Sequence, residues 1–140
     1  MPLLDTAARA VTNRLPKVIS PRTHAVIDYL VAGAFIAGGV ALWGRHKRAA
    51  LCALIVGAAE TATSLITDYP GGVTKSISFP LHGKIDAGMS GLVGSMPSLF
   101  GFEDDGEATF FRGQAVAMAA VTGLTDFEAP VGRKKFLRAA

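Results

Sequence analysis

The sequence predicts an all-α protein, a four-helix transmembrane bundle built from two tandem helical-hairpin repeats and preceded by a short amphipathic N-terminal helix. Three observations predict it. Four apolar segments are separated by short polar turns. Charge is nearly absent inside those segments. One polar signature, His-x-x-Ile-Asp, occurs twice, at His24 to Asp28 and at His82 to Asp86. The 140 residues are 50% hydrophobic and 18% charged, against about 25% charged in an ordinary soluble domain. Mean hydropathy is +0.38. A chain of this length makes one domain. It divides into an interfacial helix (1–18), repeat 1 (19–76), repeat 2 (77–130) and a basic tail (131–140).

Residues 3–18 read as the amphipathic helix. Leu4, Ala7, Ala8, Val11, Leu15 and Val18 recur at spacings of three and four, with Arg9, Arg14 and Lys17 on the remaining surface. Such a helix suits a membrane surface, or equally a packing arm against the main body. No stretch in residues 1–20 has the apolar length of a signal peptide.

The first long segment, residues 24–44, carries Asp28 as its one formal charge. It has the length that crosses a hydrocarbon core, about 20 residues. Trp43 at its far end fits an interfacial aromatic. Residues 49–67 form a second segment, interrupted by Glu60, and residues 82–102 a third, rich in Gly and Ser. Residues 109–125 form a shorter fourth. A soluble bundle is the rival architecture. However, polar residues do not recur every three to four positions from Tyr29 to Gly44, as a solvated face requires. Gly33, Gly38, Gly39, Gly88, Gly91 and Gly94 are spaced for close backbone approach between lipid-embedded helices.

Aligning the chain on itself at an offset of 58, the separation of His24 from His82, brings more into register. Asp28 falls on Asp86, Gly33 on Gly91, and Thr67-Asp68-Tyr69 on Thr125-Asp126-Phe127, without a gap. Each half is therefore expected to be a hairpin, with helices one and three running the same way. That topology collects His24, Asp28, Asp68, His82, Asp86 and Asp126 at one end of the bundle. Of the 14 Lys and Arg, Arg45, Lys47, Arg48 and Arg112 fall at the opposite end and the others on the His/Asp side. Basic loops stay inside, so the expected location is a cell inner membrane, multi-pass, with both termini cytoplasmic.

The stretch "GLVGSMPSLFGF", residues 91–102, resembles the bacterial SPW-repeat membrane proteins, in which Ser-Pro-Trp near the end of a helix precedes an apolar run and Gly-Phe. Here Met96 separates Ser95 from Pro97, Trp is absent, and Leu99-Phe100-Gly101-Phe102 supplies the ending. In layout the resemblance covers residues 20–130. It implies a small integral membrane protein of paired helices, in a group with no established activity, and it carries over no catalytic residue.

The leading account of the His/Asp cluster is a cross-repeat hydrogen-bond network that locks the hairpins together. Capping explains part of it, because His, Asp or the preceding Ser20 and Ser78 can satisfy free N–H groups at a helix start. The competing account is a metal or proton site, since imidazole and carboxylate suit Zn, Fe or Mn. Helix-start positions are poor for burying a haem. Glu60, mid-segment, is a functional candidate by position, or a structural link to Gln114. The lone Cys52 permits no internal disulfide. The basic residues flank apolar helices, and no folded basic face with aromatics speaks for nucleic acid, despite a net charge of +3 and a pI near 9.3. The expected function is thus a non-enzymatic membrane component or accessory subunit. Its partners would be the lipid bilayer and other membrane subunits or further copies of the chain. The alternative is a metal-binding or proton-handling enzyme or transporter that uses the cluster and Glu60.

Overall fold

The computed structural model describes residues 15–132. It contains four helices: α1 (Pro21–Leu42), α2 (Lys47–Ile66), α3 (Phe79–Leu99) and α4 (Glu107–Leu124). Among the described residues there is no strand. Two isolated parallel bridges, Ile19 with Thr125 and Thr67 with Ile77, are the only β pairing. Most of the expected N-terminal helix and the end of the basic tail lie outside the described residues. The last four positions expected in that helix, Leu15 to Val18, are not helical; Val18 N–H instead donates to the Leu124 carbonyl (2.9 Å).

All four helices begin two or three residues earlier than the apolar pattern suggests. For α1 and α3 the reason is a cap followed by proline. Ser20 Oγ accepts from Thr23 N–H and Ser78 Oγ accepts from Leu81 N–H. Pro21 and Pro80 occupy the first turns, where a missing N–H costs nothing. His24 and His82 therefore do not cap their helices; each lies a full turn inside. His46 caps α2, its Nδ1 accepting from Ala49 N–H (3.2 Å). Pro97 in the last turn of α3 is followed by Gly101 at φ +66°, a left-handed residue that ends the helix.

α1 packs chiefly on α2, and α3 on α4. The α1–α2 contact is close because of two glycines. A Cβ at Gly39 would lie 2.6 Å from Leu54 Cγ, and one at Gly57 2.7 Å from Ile36 Cγ1. Gly33, Gly88 and Gly91, expected at such contacts, meet nothing within 4 Å among the described residues. These three lie on outward faces, so the small-residue pattern only partly marks the interface.

One apolar core runs through the bundle, with Phe35, Val56, Val93, Met96, Phe102 and Phe111 at its centre. Phe35 of α1 stacks edge-on against Phe110 of α4 (5.4 Å), which joins the two hairpins. A second cluster of Ala25, Tyr69 and Phe79, with Phe127 against it, closes one end. The buried polar site lies at that end.

The hairpins also exchange backbone contacts there. Asp68 N–H donates to Ile77 C=O and Ile77 N–H to Ile66 C=O; 58 residues on or back, Asp126 N–H donates to Ile19 C=O and Ile19 N–H to Leu124 C=O. The exit from α2 is thus tied to the entry of α3, and the exit from α4 to the entry of α1.

Candidate metal centre

His24 and Asp28 stand one turn apart on α1, and His82 and Asp86 one turn apart on α3. All four are buried, with relative exposures of 6% or less. The two Nε2 atoms lie 3.3 Å apart. Asp86 Oδ2 is 3.0 Å from His24 Nε2 and 3.1 Å from His82 Nε2. Asp28 turns Oδ1 to His24 (3.2 Å) and Oδ2 to His82 (3.1 Å). One ligand atom from each residue therefore falls within 4.8 Å of the other three.

The remaining ring nitrogens settle the tautomers. His24 Nδ1 lies 2.8 Å from Thr125 Oγ1, and His82 Nδ1 2.8 Å from Thr67 Oγ1. Each hydroxyl already donates to a carbonyl one turn back, Thr125 to Val121 and Thr67 to Thr63, both at 2.6 Å. A hydroxyl has a single proton, so each threonine accepts from an Nδ1–H. In the neutral imidazoles both Nε2 lone pairs then point at one another and at two carboxylates. Four acceptors cannot converge without a cation or added protons between them.

A metal ion meets that requirement. Ligands about 2.05 Å from a tetrahedral Zn²⁺ stand about 3.3 Å apart; the two imidazoles and Asp86 Oδ2 lie 3.0–3.3 Å from one another, while Asp28 offers a different oxygen to each imidazole and the four ligand atoms lie within 4.8 Å. Two carboxylates and two neutral imidazoles around a divalent ion sum to zero charge, which makes the burial tolerable. Hydrogen bonds from the far ring nitrogens, as His24 and His82 make to Thr125 and Thr67, are the usual outer support of metal-bound histidine.

Comparison with protein-family models, curated proteins and solved structures finds no match. The likeness to SPW-repeat proteins therefore rests on the residues of this chain alone.

Aromatic rings wall the centre off. Phe79 and Phe127 meet the His24 ring edge-on at 5.3 and 5.2 Å, and Tyr69 lies 5.2 Å from His82. Tyr69 O–H donates to Asp28 Oδ2 (2.8 Å). Burial holds this phenol far above its ordinary range, so it remains a donor. Its counterpart in the second half, Phe127, has no hydroxyl, and Asp86 receives no matching bond.

Of the six residues expected to converge, four do. Asp68 and Asp126 follow α2 and α4 and turn away from the centre. Asp68 pairs with Lys75 (3.6 Å), and Asp126 Oδ1 accepts from Glu128 N–H. Their backbone N–H groups are committed to the inter-hairpin bridges, which fixes the side chains on the outer side. Thr67 and Thr125, one residue earlier, take the inward position instead. Neither threonine was singled out from the sequence, although the offset of 58 places them in register. Glu60 is buried at 3% exposure and makes no hydrogen bond among the described residues, so the expected link to Gln114 is not formed. The third histidine, His46, sits at the opposite end, its Nε2–H donating to Asp105 (2.9 Å).

Proposed function

We propose that this is a small integral membrane protein whose two hairpins are clamped together by a buried divalent metal ion, zinc foremost, held by His24, Asp28, His82 and Asp86. The observation that carries this reading is the pair of Nε2 atoms at 3.3 Å, each with its Nδ1–H already spent on a threonine. Of the two accounts the sequence offers for the cluster, this is the competing one, a metal site, in place of a hydrogen-bond network that locks the hairpins together. The role is that of a non-enzymatic membrane component or accessory subunit.

Membrane residence draws on composition and exposure together. Two helices, α1 and α2, are long and apolar enough to cross a membrane, with mean hydropathies of 1.9 and 1.8. Only 28% of the apolar window of α1 is buried within the protein, which is not the pattern of a soluble core helix. Leu30, Val40, Ile55, Leu92 and Val116 all stand exposed. No side chain is charged from Tyr29 to Leu42, Ala49 to Ala59, Ala87 to Leu99 or Gly113 to Leu124, and Asp28, Glu60 and Asp86 are buried nearer the His end. This supports a four-span bundle of two repeated hairpins, with the metal end and both termini on the cytoplasmic side of a bacterial inner membrane. The exchanged hydrogen bonds at an offset of 58 support the duplication.

Two measurements on protein extracted without chelator test the reading. One divalent ion per chain by elemental analysis, in material that stays with membranes after an alkaline wash, is the expected result. Protein released by the wash, or purified folded without metal and unable to take it up, overturns it.

A further inference from the structure

The four ligands come from α1 and α3 alone. The helices that complete the bundle, α2 and α4, place Glu60 and Met118 over the centre. These residues occupy the same position in the two halves, 58 apart, and both line a cavity of about 10 Å³ beside the ligands. That is the room one water molecule needs. His24, Asp28 and Asp86 line the cavity as well, whereas His82 does not. The cavity therefore borders three of the four candidate ligands together with Glu60 and Met118.

A second observation points to an occupant. Glu60 is 97% buried, lines this cavity, and has no hydrogen-bond partner among the described residues. A carboxylate in that position needs a donor, and a solvent molecule in the cavity provides one. Met118 adds a flexible apolar chain to the lining.

Resting on the metal reading above, we propose that the ion carries one exchangeable solvent ligand in this chamber, hydrogen-bonded to Glu60. The centre then has one position addressable by water-sized donors such as water or ammonia. Zinc sites with four protein ligands are structural and those that act on a ligand have three plus solvent; the solvent here is a fifth ligand beside four protein donors. Glu60 is a positioning residue: it orients the bound solvent and does not hold the ion.

The test uses full-length protein loaded with Co²⁺ and examined by low-temperature EPR in ordinary and ¹⁷O-enriched water. The wild type is expected to bind one cobalt per chain and to show line broadening from a directly bound ¹⁷O. Met118→Phe, which fills the chamber, and Glu60→Leu, which removes the acceptor, are expected to bind cobalt as the wild type does and to lose the broadening. Cobalt uptake with no broadening in the wild type overturns the solvent ligand and leaves the metal centre standing. Undiminished broadening in both variants overturns the assignment to this chamber. Failure of the wild type to take up cobalt overturns the metal centre and the solvent ligand together.

Discussion

His24 Nδ1 and Thr125 Oγ1 meet at 2.8 Å although 101 residues separate them in the chain. His82 and Thr67 make the same bond in the opposite sense, also at 2.8 Å. Each hairpin thus orients the buried imidazole of the other. This reciprocal arrangement does more than either pair alone, because it presents both Nε2 lone pairs inward at once.

Removing one hydroxyl should weaken metal binding without removing a ligand. Thr67→Val and Thr125→Val each keep side-chain volume but leave an Nδ1–H without its acceptor. Loss of an outer partner of this kind lowers metal affinity by roughly 10- to 100-fold. Competition against a chromophoric chelator measures it, with circular dichroism confirming intact helices. Affinity within twofold of wild type in both variants would refute the tautomer assignment.

Loss of a ligand should be more severe. His82→Ala leaves two buried carboxylates facing a single imidazole, and breaking a buried charge set costs about 3–5 kcal/mol. The variant is expected to be purified without metal and to unfold at a markedly lower temperature. Treating wild-type protein with chelator should reproduce the temperature shift, and restored metal should reverse it. His46→Ala, at the far end of the bundle, serves as the comparison; it removes the α2 cap and an exposed hydrogen bond to Asp105, at a cost of about 1–2 kcal/mol, and metal content should not change.

The α1–α2 contact makes a steric prediction. Gly57→Ala puts a methyl carbon 2.7 Å from Ile36 Cγ1 and 3.1 Å from the Ala32 carbonyl oxygen. Overpacking of this kind costs about 1–3 kcal/mol. Gly33→Ala, which meets nothing within 4 Å, should be neutral or should gain up to about 1 kcal/mol from helix propensity. Thermal unfolding of both in detergent micelles gives the comparison, and equal midpoints would show that α1 and α2 do not approach as closely as described.

Trp43 is the one tryptophan in the sequence, so its fluorescence reports a single place. It is half exposed at the end of α1, with Lys47 Nζ 3.9 Å above the ring. In reconstituted vesicles, lipids brominated near the headgroup should quench it more strongly than lipids brominated near the chain end. Quenching by aqueous iodide alone would place the helix in water.

The helices were legible because their charge gaps are long and their separators short. α1 and α3 begin ahead of their apolar runs because Pro21 and Pro80, behind a serine cap, open a helix. The convergence of both His-x-x-Ile-Asp pairs followed from the offset of 58 and the parallel direction of α1 and α3. Asp68 and Asp126 were expected inside because carboxylates ending helices ask for partners. Which of two adjacent residues points inward depends on the backbone after the helix end, and the bridges to Ile77 and Ile19 turn the threonines in. The glycines show the same limit: spacing marks Gly39 and Gly33 alike, and only the packing of α2 separates them.

The exchange of bonds between halves carries a consequence for how the chain is made. While only residues up to the loop after α2 have been synthesised, His24 lacks its threonine and Asp28 lacks its second imidazole. The first hairpin must therefore wait with a polar end that only the second can satisfy. Severing the connection between Tyr69 and Ile77 should leave two pieces that recognise each other as a pair of subunits would, with the ion as the last part fitted.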